Sequence, residues 1–249
     1  MTAESGTAAA QSTRAADLSR ALADLSARID AACRAAGRDP GEVRLLPVTK
    51  FFPASDIEIL YGLGRRDFGE SREQEAAAKV ASLGHLSQIR WHMIGRLQRN
   101  KAKSVARWAH TVYSVDSDRL ATTLDTAAGL ALQAGQRDAP LRVLLQVSLD
   151  SDPSRGGVAP ADLPALADLV ARAENLQLAG LMAIPPLERD PEPEFARLAD
   201  LHADLLTRHA EATELSAGMS GDLEAAIRHG STCVRVGTAL MGARPITSG

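Results

Sequence analysis

The feature of this sequence that most constrains its fold is a regular alternation of short apolar runs with helical patterns. The apolar runs, each long enough for one strand, lie at 43–49, 90–95, 111–115, 141–148, 177–182, 213–217 and 232–237, and a weaker run, "RDFGE", lies at 66–70. Every run except the last is followed by a helical pattern, at 54–63, 71–82, 98–107, 117–134, 160–173, 193–209 and 220–229. Strands that alternate with helices in this way predict a parallel sheet.

The number of units decides between two architectures of parallel sheet. Eight units follow one another without a long linker or a change of composition, which favours a single closed (β/α)8 barrel of the TIM type. An open doubly wound sheet is the alternative. Residues 15–37 predict an extra amino-terminal helix, because they end on a glycine and place these apolar residues at helical spacing: Leu18, Leu22, Leu25 and Ile29.

The amino terminus and the cysteines narrow the class of protein. Residues 1–12 are rich in small and polar residues and are predicted to form a flexible tail, which leaves 13–249 as a single domain. We expect neither a signal peptide nor a membrane span, because no window of the chain is long and apolar enough. Cys33 and Cys233 lack CxxC spacing, which suits a cytoplasmic protein without a disulfide scaffold or a zinc site.

The charge and the histidines indicate which partners are not expected. A formal net charge of -3 gives the chain no general attraction to nucleic acid or membranes. The most basic segment, 90–107, is interpreted as a solvated helix face, and a chain with few aromatic residues has little to stack on bases. His202 and His209 lack the i, i+4 spacing of a metal-binding pair, so we expect no metal site.

Lys50 stands at the carboxyl end of the first predicted strand, in the stretch "VRLLPVTKFFP". One interpretation is a charge that marks where the strand leaves the core. The other is a desolvated amine that acts as a nucleophile. Barrels of this type build their chemistry at the carboxyl ends of the strands, which makes Lys50 the first candidate residue.

Two glycine-bearing turns after the last two strands predict a phosphate site. "LSAGMSGDLEAAI" places Gly218 in a turn ahead of a helix for which Ser220 is a candidate N-cap. "VRVGTALMG" places Gly237 and Thr238 just past the last strand. Barrels repeatedly bind phosphate with these two loops. The alternative interpretation is a well-capped helix without a ligand, and Asp222 in its first turn would repel an anion.

Arg235 precedes Gly237 by two residues, so both are expected to face the interior of the barrel. A buried arginine needs a partner, which is either a carboxylate or a ring nitrogen of a bound cofactor. A lysine at one strand end, a phosphate site and an inward arginine together suit pyridoxal 5'-phosphate (PLP). Lys50 would then form the imine with it.

The chain also resembles a known family from about residue 44 to residue 243. The resemblance is carried by the ordered motifs "LLPVTK", "DFGESREQE", "WHMIGRLQRNKAK", "YSVDSDRLA", "GLMAIPP" and "LSAGMSGDLEAAIRHGSTCVRVGTALMGAR". They resemble the pyridoxal phosphate homeostasis proteins, which are similar to the barrel domain of bacterial alanine racemases. The resemblance implies a monomeric or weakly associating single barrel that carries PLP on Lys50. Together with the two phosphate turns and the lack of a second base, it leads us to expect a cytoplasmic carrier and buffer of PLP in vitamin B6 homeostasis, without enzymatic activity.

The same resemblance assigns individual residues. Arg235 is expected to face the pyridine nitrogen of PLP. The residues expected around the phosphate are Ser216, Gly218, Met219, Ser220, Gly237 and Thr238. Relatives commonly have asparagine and tyrosine where this chain has Ser71 and Arg72, so Ser71 is carried as a weaker candidate contact. PLP-dependent apoenzymes are the candidate recipients of PLP, and the alternative is that PLP is only stored.

A PLP-dependent amino-acid racemase is the alternative function. Alanine racemases use a second base, a tyrosine brought by a separate domain, for which we expect no room in this chain. Tyr61 and Tyr113 are not expected to oppose Lys50 across the site. His92 could substitute, but we interpret it as a hydrogen-bonded structural residue.

Overall fold

The computed structural model describes residues 3–150, 155–186 and 188–243. The strands of this part of the chain are β1 (Arg44–Pro47), β2 (Asp67–Glu70), β3 (Arg90–Met93), β4 (Ala109–Val115), β5 (Leu141–Gln146), β6 (Leu176–Met182), β7 (Glu214–Ser216) and β8 (Cys233–Val236). Its α-helices are α1 (Ala3–Ala35), α2 (Ala54–Gly62), α3 (Glu73–Ser82), α4 (Ala102–Trp108), α5 (Asp118–Gln133), α6 (Leu163–Ala171), α7 (Pro191–Arg208), α8 (Leu223–Arg228) and α9 (Thr238–Met241). The predicted order of strands and helices is confirmed.

The strands form a nearly closed barrel, which confirms the (β/α)8 prediction over the open doubly wound sheet. Neighbouring strands are parallel in the order β1-β8-β7-β6-β5-β4-β3-β2. The ends of this sheet meet just beyond β1, where the backbone N–H of Thr49 donates to the carbonyl of Gly69 at 3.0 Å. Pro47 removes one hydrogen bond that could join the two strands earlier. Arg44 and Val48 donate their N–H groups towards β8, so Pro47, which alternates with them and has no N–H, faces β2.

The barrel has a packed interior and an outer shell of helices. Inside it, the apolar cluster consists of Leu46, Tyr113, Leu144, Ala179, Met182 and Cys233. Two larger clusters fill the space between the sheet and the surrounding helices. A packed interior leaves the ends of the strands as the places where a ligand can bind.

The amino-terminal helix is present but longer than predicted. It begins at Ala3, so residues 3–12 continue the helix, as their high alanine content favours. The flexibility of that tail stays a prediction, and its residues 1–2 lie outside the described part of the chain, as do 244–249. None of the described helices is both long and apolar enough to cross a membrane.

The first helix also supports the loop between β7 and α8. Leu18, Leu25 and Ile29 are buried in the apolar cluster that includes residues of α8 and α9. On the same helix, Arg28 donates a hydrogen bond to the carbonyl of Ser220 at 2.8 Å. α1 therefore braces one of the two loops that the sequence predicts to bind phosphate.

Candidate functional site

Lys50 lies in the turn that follows β1, at the carboxyl end of the barrel. Its side chain is partly buried, and its Nζ atom lies 6.0 Å from the centroid of the Phe51 ring. The next residue is unusual, because Phe51 has a φ of 70°. A non-glycine residue in this left-handed region is strained and needs neighbouring contacts to hold it there.

Phe51 is held from two sides. Its backbone N–H donates to Oε1 of Glu75 at 2.6 Å, and the guanidinium carbon of Arg72 lies 4.6 Å from the centroid of its ring. A guanidinium stacks favourably on the face of an aromatic ring. Arg72 therefore contacts the residue that follows Lys50.

A buried lysine on α3 lies beneath the same turn. The Nζ atom of Lys79 donates to the carbonyl of Thr49 at 2.8 Å and to Oε1 of both Glu70 and Glu75 at 2.7 Å. Lys79 is 7% exposed and Glu70 is fully buried. Sequence reasoning missed Lys79, although the spacing of Glu75 and Lys79 is that of an i, i+4 ion pair.

Glu70 ends β2 beside this turn. Burial raises its pKa, and the ammonium of Lys79 and the hydroxyl of Thr49, which donates at 2.6 Å, partly oppose that rise. Its Oε2 atom is buried and has no hydrogen-bond partner among the described residues. A buried carboxylate oxygen without a donor is uncommon, and it places an uncompensated acceptor close to the end of β1.

Arg235 points into the barrel from β8, as predicted. Cys233, two residues earlier on the same face of the strand, belongs to the interior cluster. The guanidinium donates from Nη1 to the hydroxyl of Ser216 at 2.7 Å and from Nη2 to the carbonyl of Ala183 at 3.0 Å. Burial lowers the pKa of Arg235. Among the described residues, the hydrogen-bond acceptors of this guanidinium are neutral groups rather than a carboxylate.

Gly218 shapes the turn after β7. Its φ is 92°, and a Cβ atom there would lie 2.7 Å from Cβ of Ala226. The carbonyl of Gly218 accepts from the backbone N–H of Arg235 at 2.9 Å. Only glycine fits this close approach, which ties the turn to α8 on one side and to β8 on the other.

The predicted N-cap of α8 is wrong. The helix begins at Leu223, and Asp222 rather than Ser220 occupies the capping position. The physical reason is a tight turn before the helix, in which Oδ1 of Asp222 accepts from the backbone N–H of Met219 at 2.6 Å. In the structure, that N–H is thus engaged by an acidic side chain of the same turn.

Ser220 instead connects the two predicted phosphate loops. Its hydroxyl accepts from the backbone N–H of Ala239 at 3.2 Å, in the first turn of α9. Gly237 is the N-cap residue of that short helix, and Thr238 after it is exposed. The structure therefore brings Ser220, Gly237 and Thr238 together at the carboxyl end of the barrel.

Ser216 and Ser71 take different positions. Ser216 is fully buried, and its hydroxyl donates to the carbonyl of Cys233 at 3.2 Å while it accepts from Arg235. Ser71 follows β2 and is partly buried. Gly95 packs against it so closely that a Cβ on Gly95 would lie 2.2 Å from the carbonyl oxygen of Ser71. Their contacts to PLP stay predictions.

Residues 21–245 match the family described as the alanine racemase N-terminal domain. The pyridoxal phosphate homeostasis protein of Mycobacterium tuberculosis is 53% identical to this chain over 247 residues, which cover 94% of this chain and 96% of the relative. The protein of the same name from Escherichia coli K12 is 40% identical over 240 residues, with coverages of 92% and 97%.

This chain belongs to the pyridoxal phosphate homeostasis protein family.

Solved structures agree with this assignment. PipY of Synechococcus elongatus PCC7942, solved with PLP bound, is 36% identical, with a TM-score of 0.78 over 90% of this chain and all of that chain. The alanine racemase of Corynebacterium glutamicum is 16% identical, with a TM-score of 0.64 over 91% of this chain and 62% of that chain. At that identity the racemase shares the fold alone.

The three residues considered as a second base of a racemase do not face Lys50 in this family member. Nε2 of His92 is 2.8 Å from Oδ1 of Asp67, the first residue of β2. The hydroxyl of Tyr113 donates at 2.9 Å to Glu214, the first residue of β7. Both groups are therefore directed to the amino end of the barrel, opposite to Lys50. Tyr61 lies on α2, with the guanidinium carbon of Arg66 3.9 Å from its ring centroid.

A basic groove opens beside the turn of Lys50 in this homeostasis protein. It is a cavity of about 1300 Å³ between the loops that follow β2, β3 and β4. The basic residues that line it are Arg72, Arg96, Arg99, Lys101 and Arg119, against two carboxylates, Glu73 and Asp116. This concentration of positive charge stands out in a chain whose net charge is -3.

Arg155 lies at the same end of the barrel, on the loop after β5. Its Nη1 atom contacts Oδ2 of Asp150 at 2.5 Å, and Nη2 donates to the carbonyls of Ile184 and Pro185 at 3.0 and 2.8 Å. These bonds join the loop after β5 to the loop after β6. Arg155 is thus engaged by protein groups on two neighbouring loops.

Proposed function

We propose that this protein binds PLP covalently through Lys50 and acts as a carrier and buffer of PLP in vitamin B6 homeostasis. The observation that carries the proposal is Arg235, a buried cation whose hydrogen-bond partners are neutral. It projects from the strand next to β1, and Leu46 of β1 is its register partner. Such a cation can donate a charge-assisted hydrogen bond to an electron-rich ring nitrogen. An arginine paired with a carboxylate would do so less well.

The relatives support this proposal. Proteins named for PLP homeostasis match nearly the whole chain, and PipY has been solved with PLP bound. When bound, PLP supplies an aldehyde that reacts reversibly with primary amines, so that a lysine can hold it and other amines can release it. A carrier needs this reversibility.

The chain's own residues divide the binding between two regions. Lys50 supplies the amine at the end of β1. The phosphate would be held where the loop after β7 meets α9, by Gly218, Met219, Ser220, Gly237 and Thr238. Gly218 permits close approach of the backbone, and Ser220 keeps the two loops in register. Ser71 would lie on the rim.

Arg235 explains why holding PLP need not produce catalysis. A guanidinium remains charged even when buried, and a positive charge at the ring nitrogen disfavours its protonation. An unprotonated ring is a poorer sink for carbanion electrons. The direction of His92 and Tyr113 away from Lys50 supports the same conclusion, that the protein is a carrier rather than an amino-acid racemase.

We further propose that the protein acts as a monomer in the cytoplasm and that it passes PLP to PLP-dependent apoenzymes. Transfer is distinguished from storage by mixing the PLP-loaded protein with an apoenzyme and following the rate at which the apoenzyme regains activity. A recovery faster than release of PLP into solution would indicate direct transfer.

Covalent binding is tested by the absorbance spectrum of the purified protein with added PLP, before and after borohydride reduction, followed by peptide mass mapping. We expect a visible band, lost on reduction, and a label on Lys50. Lys50→Ala should lose the band and the label, whereas Lys103→Ala, which replaces an exposed lysine on α4, should retain both. An unlabelled Lys50 in the native protein contradicts the proposal.

A further inference from the structure

The buried ammonium of Lys79 contacts the backbone immediately before Lys50, and its carboxylate partner contacts the backbone immediately after. All three of its N–H groups are used: on the carbonyl of Thr49, on Glu70 and on Glu75. Oε1 of Glu75 also accepts from the N–H of Phe51. One charged cluster therefore holds both residues that flank Lys50.

The conformation of this turn requires such support. Phe51 has a φ of 70°, which an L-residue with a side chain adopts only when its surroundings impose it. A peptide plane that relaxed from this state would redirect the residue before it, which is Lys50. The bonds from Glu75 and Lys79 are contacts to the backbone of the turn that oppose this relaxation.

General stabilisation is a poor explanation for Lys79. A buried ion pair recovers little more than the cost of its own desolvation, and apolar side chains in place of the whole charged cluster would avoid that cost. Glu70 shows this cost, because burial raises its pKa and its Oε2 atom is left without a partner among the described residues. What an apolar side chain could not do is donate to the carbonyl of Thr49 and orient Glu75.

We propose that Lys79 and Glu75 are positioning residues, which fix the strained turn Thr49–Phe51 and thereby direct the amine of Lys50. The inference rests on the proposed function. In covalent capture the Lys50 nitrogen replaces the aldehyde oxygen of PLP, and one water leaves. Lys79 and Glu75 do not touch PLP in this scheme and act only through the direction of Lys50.

The test compares Glu75→Ala, Glu75→Gln and Lys79→Met with the native protein. The rate of covalent capture is followed by absorbance over a range of PLP concentrations. For Glu75→Ala and Lys79→Met we expect the maximal rate to fall tenfold or more, while the concentration that gives half of it stays within twofold. Glu75→Gln keeps an oxygen for the N–H of Phe51 and should recover most of the rate.

A second readout needs no PLP. Amide hydrogen exchange of a peptide that spans residues 49–52 should become faster in Glu75→Ala and remain close to native in Glu75→Gln. The matched control is Glu58→Ala, which removes one exposed carboxylate from α2. Glu75 is partly exposed, so its variants remain informative if Lys79→Met fails to fold.

The outcomes separate the two proposals. If the native protein captures no PLP, the proposed function fails, and the exchange measurement alone decides the role of Glu75. If the native protein captures PLP and Glu75→Ala matches Glu58→Ala in both capture rate and exchange, the positioning role is wrong. A slower capture with unchanged exchange also overturns it, because the effect would then not pass through the turn.

Discussion

Nη1 of Arg235 donates to the hydroxyl of Ser216 at 2.7 Å, and both side chains are buried beneath the carboxyl end of the barrel. The arginine thus keeps a full charge in the interior with neutral partners, while burial lowers its pKa. This arrangement favours binding of a ligand and lowers the stability of the protein without one. Ligand binding and stability can be measured separately.

Replacement of Arg235 by methionine is expected to stabilise the protein without PLP and to weaken its binding of PLP. Exchange of a buried charge for an apolar side chain of similar volume removes the desolvation cost, and we expect a gain of about 1 kcal/mol in the free energy of unfolding. Urea unfolding without PLP measures it. Arg142→Met, which breaks a contact with Glu214 at the amino end, is the control and should not stabilise. A loss of stability in Arg235→Met would show that its hydrogen bonds outweigh its desolvation.

Gly218→Ala is expected to destabilise the protein by about 1–3 kcal/mol. The new Cβ would lie 2.7 Å from Cβ of Ala226, and the φ of 92° is unfavourable for alanine. Gly221→Ala is the matched control in the same turn, because a Cβ there meets no atom within 4 Å and its φ is not in the left-handed region. Urea unfolding of both variants gives the comparison. Equal effects would mean that the contact with α8 does not fix the turn.

Much of this fold could be predicted because its signals are local. The alternation of apolar runs and helical patterns predicted the order of strands and helices, and the two-residue period of a strand predicted that Arg235 faces the interior of the barrel. Pro47, a poor strand residue in isolation, is tolerated because its missing N–H faces the gap between β1 and β2. The position of Lys50 at a strand end followed from the same alternation.

The rest depends on contacts between residues that are distant in sequence. Lys79 is spaced from Glu75 like an exposed ion pair on a helix, and only its contact with the carbonyl of Thr49 reveals its role. Ser220 was predicted to cap its own helix, yet its hydroxyl accepts from the first turn of another. Local capping preference could not show that Asp222 would take the capping position instead.

The contribution of His110 to the stability of this protein is expected to be lost as the pH is lowered from about 6.5 to about 4. Burial, with nearby His92 and Arg142, lowers the pKa of His110 to about 4. Unfolded histidine titrates near pH 6.5, so below that pH the unfolded chain binds a proton that His110 in the folded protein does not bind. This difference favours the unfolded state. Burial also lowers the pKa of His92, which adds in the same direction.

Urea unfolding across this pH range tests the expectation. His110→Gln should reduce the slope of the free energy of unfolding against pH between about 6.5 and about 4. His85→Gln, which replaces an exposed histidine that contacts Glu58, is the control. If both variants keep the native slope, His110 does not contribute to the acid sensitivity. Asp67, whose pKa His92 and Arg90 lower against the opposing effect of burial, should add a further loss of stability below about pH 4.

The basic groove is expected to accelerate the association of PLP, which carries a negatively charged phosphate. A cleft lined by charges of one sign raises the local concentration of counter-ions, and this effect falls as salt screens the field. Replacement of both Arg99 and Arg119 by glutamine should slow association several-fold at low ionic strength and leave dissociation nearly unchanged. Stopped-flow absorbance at low and high ionic strength measures both rates. Arg20→Gln, on the exposed side of α1, removes a charge far from the groove and is the control. If the association rates of the double variant and of the control show the same salt dependence, the groove does not attract PLP.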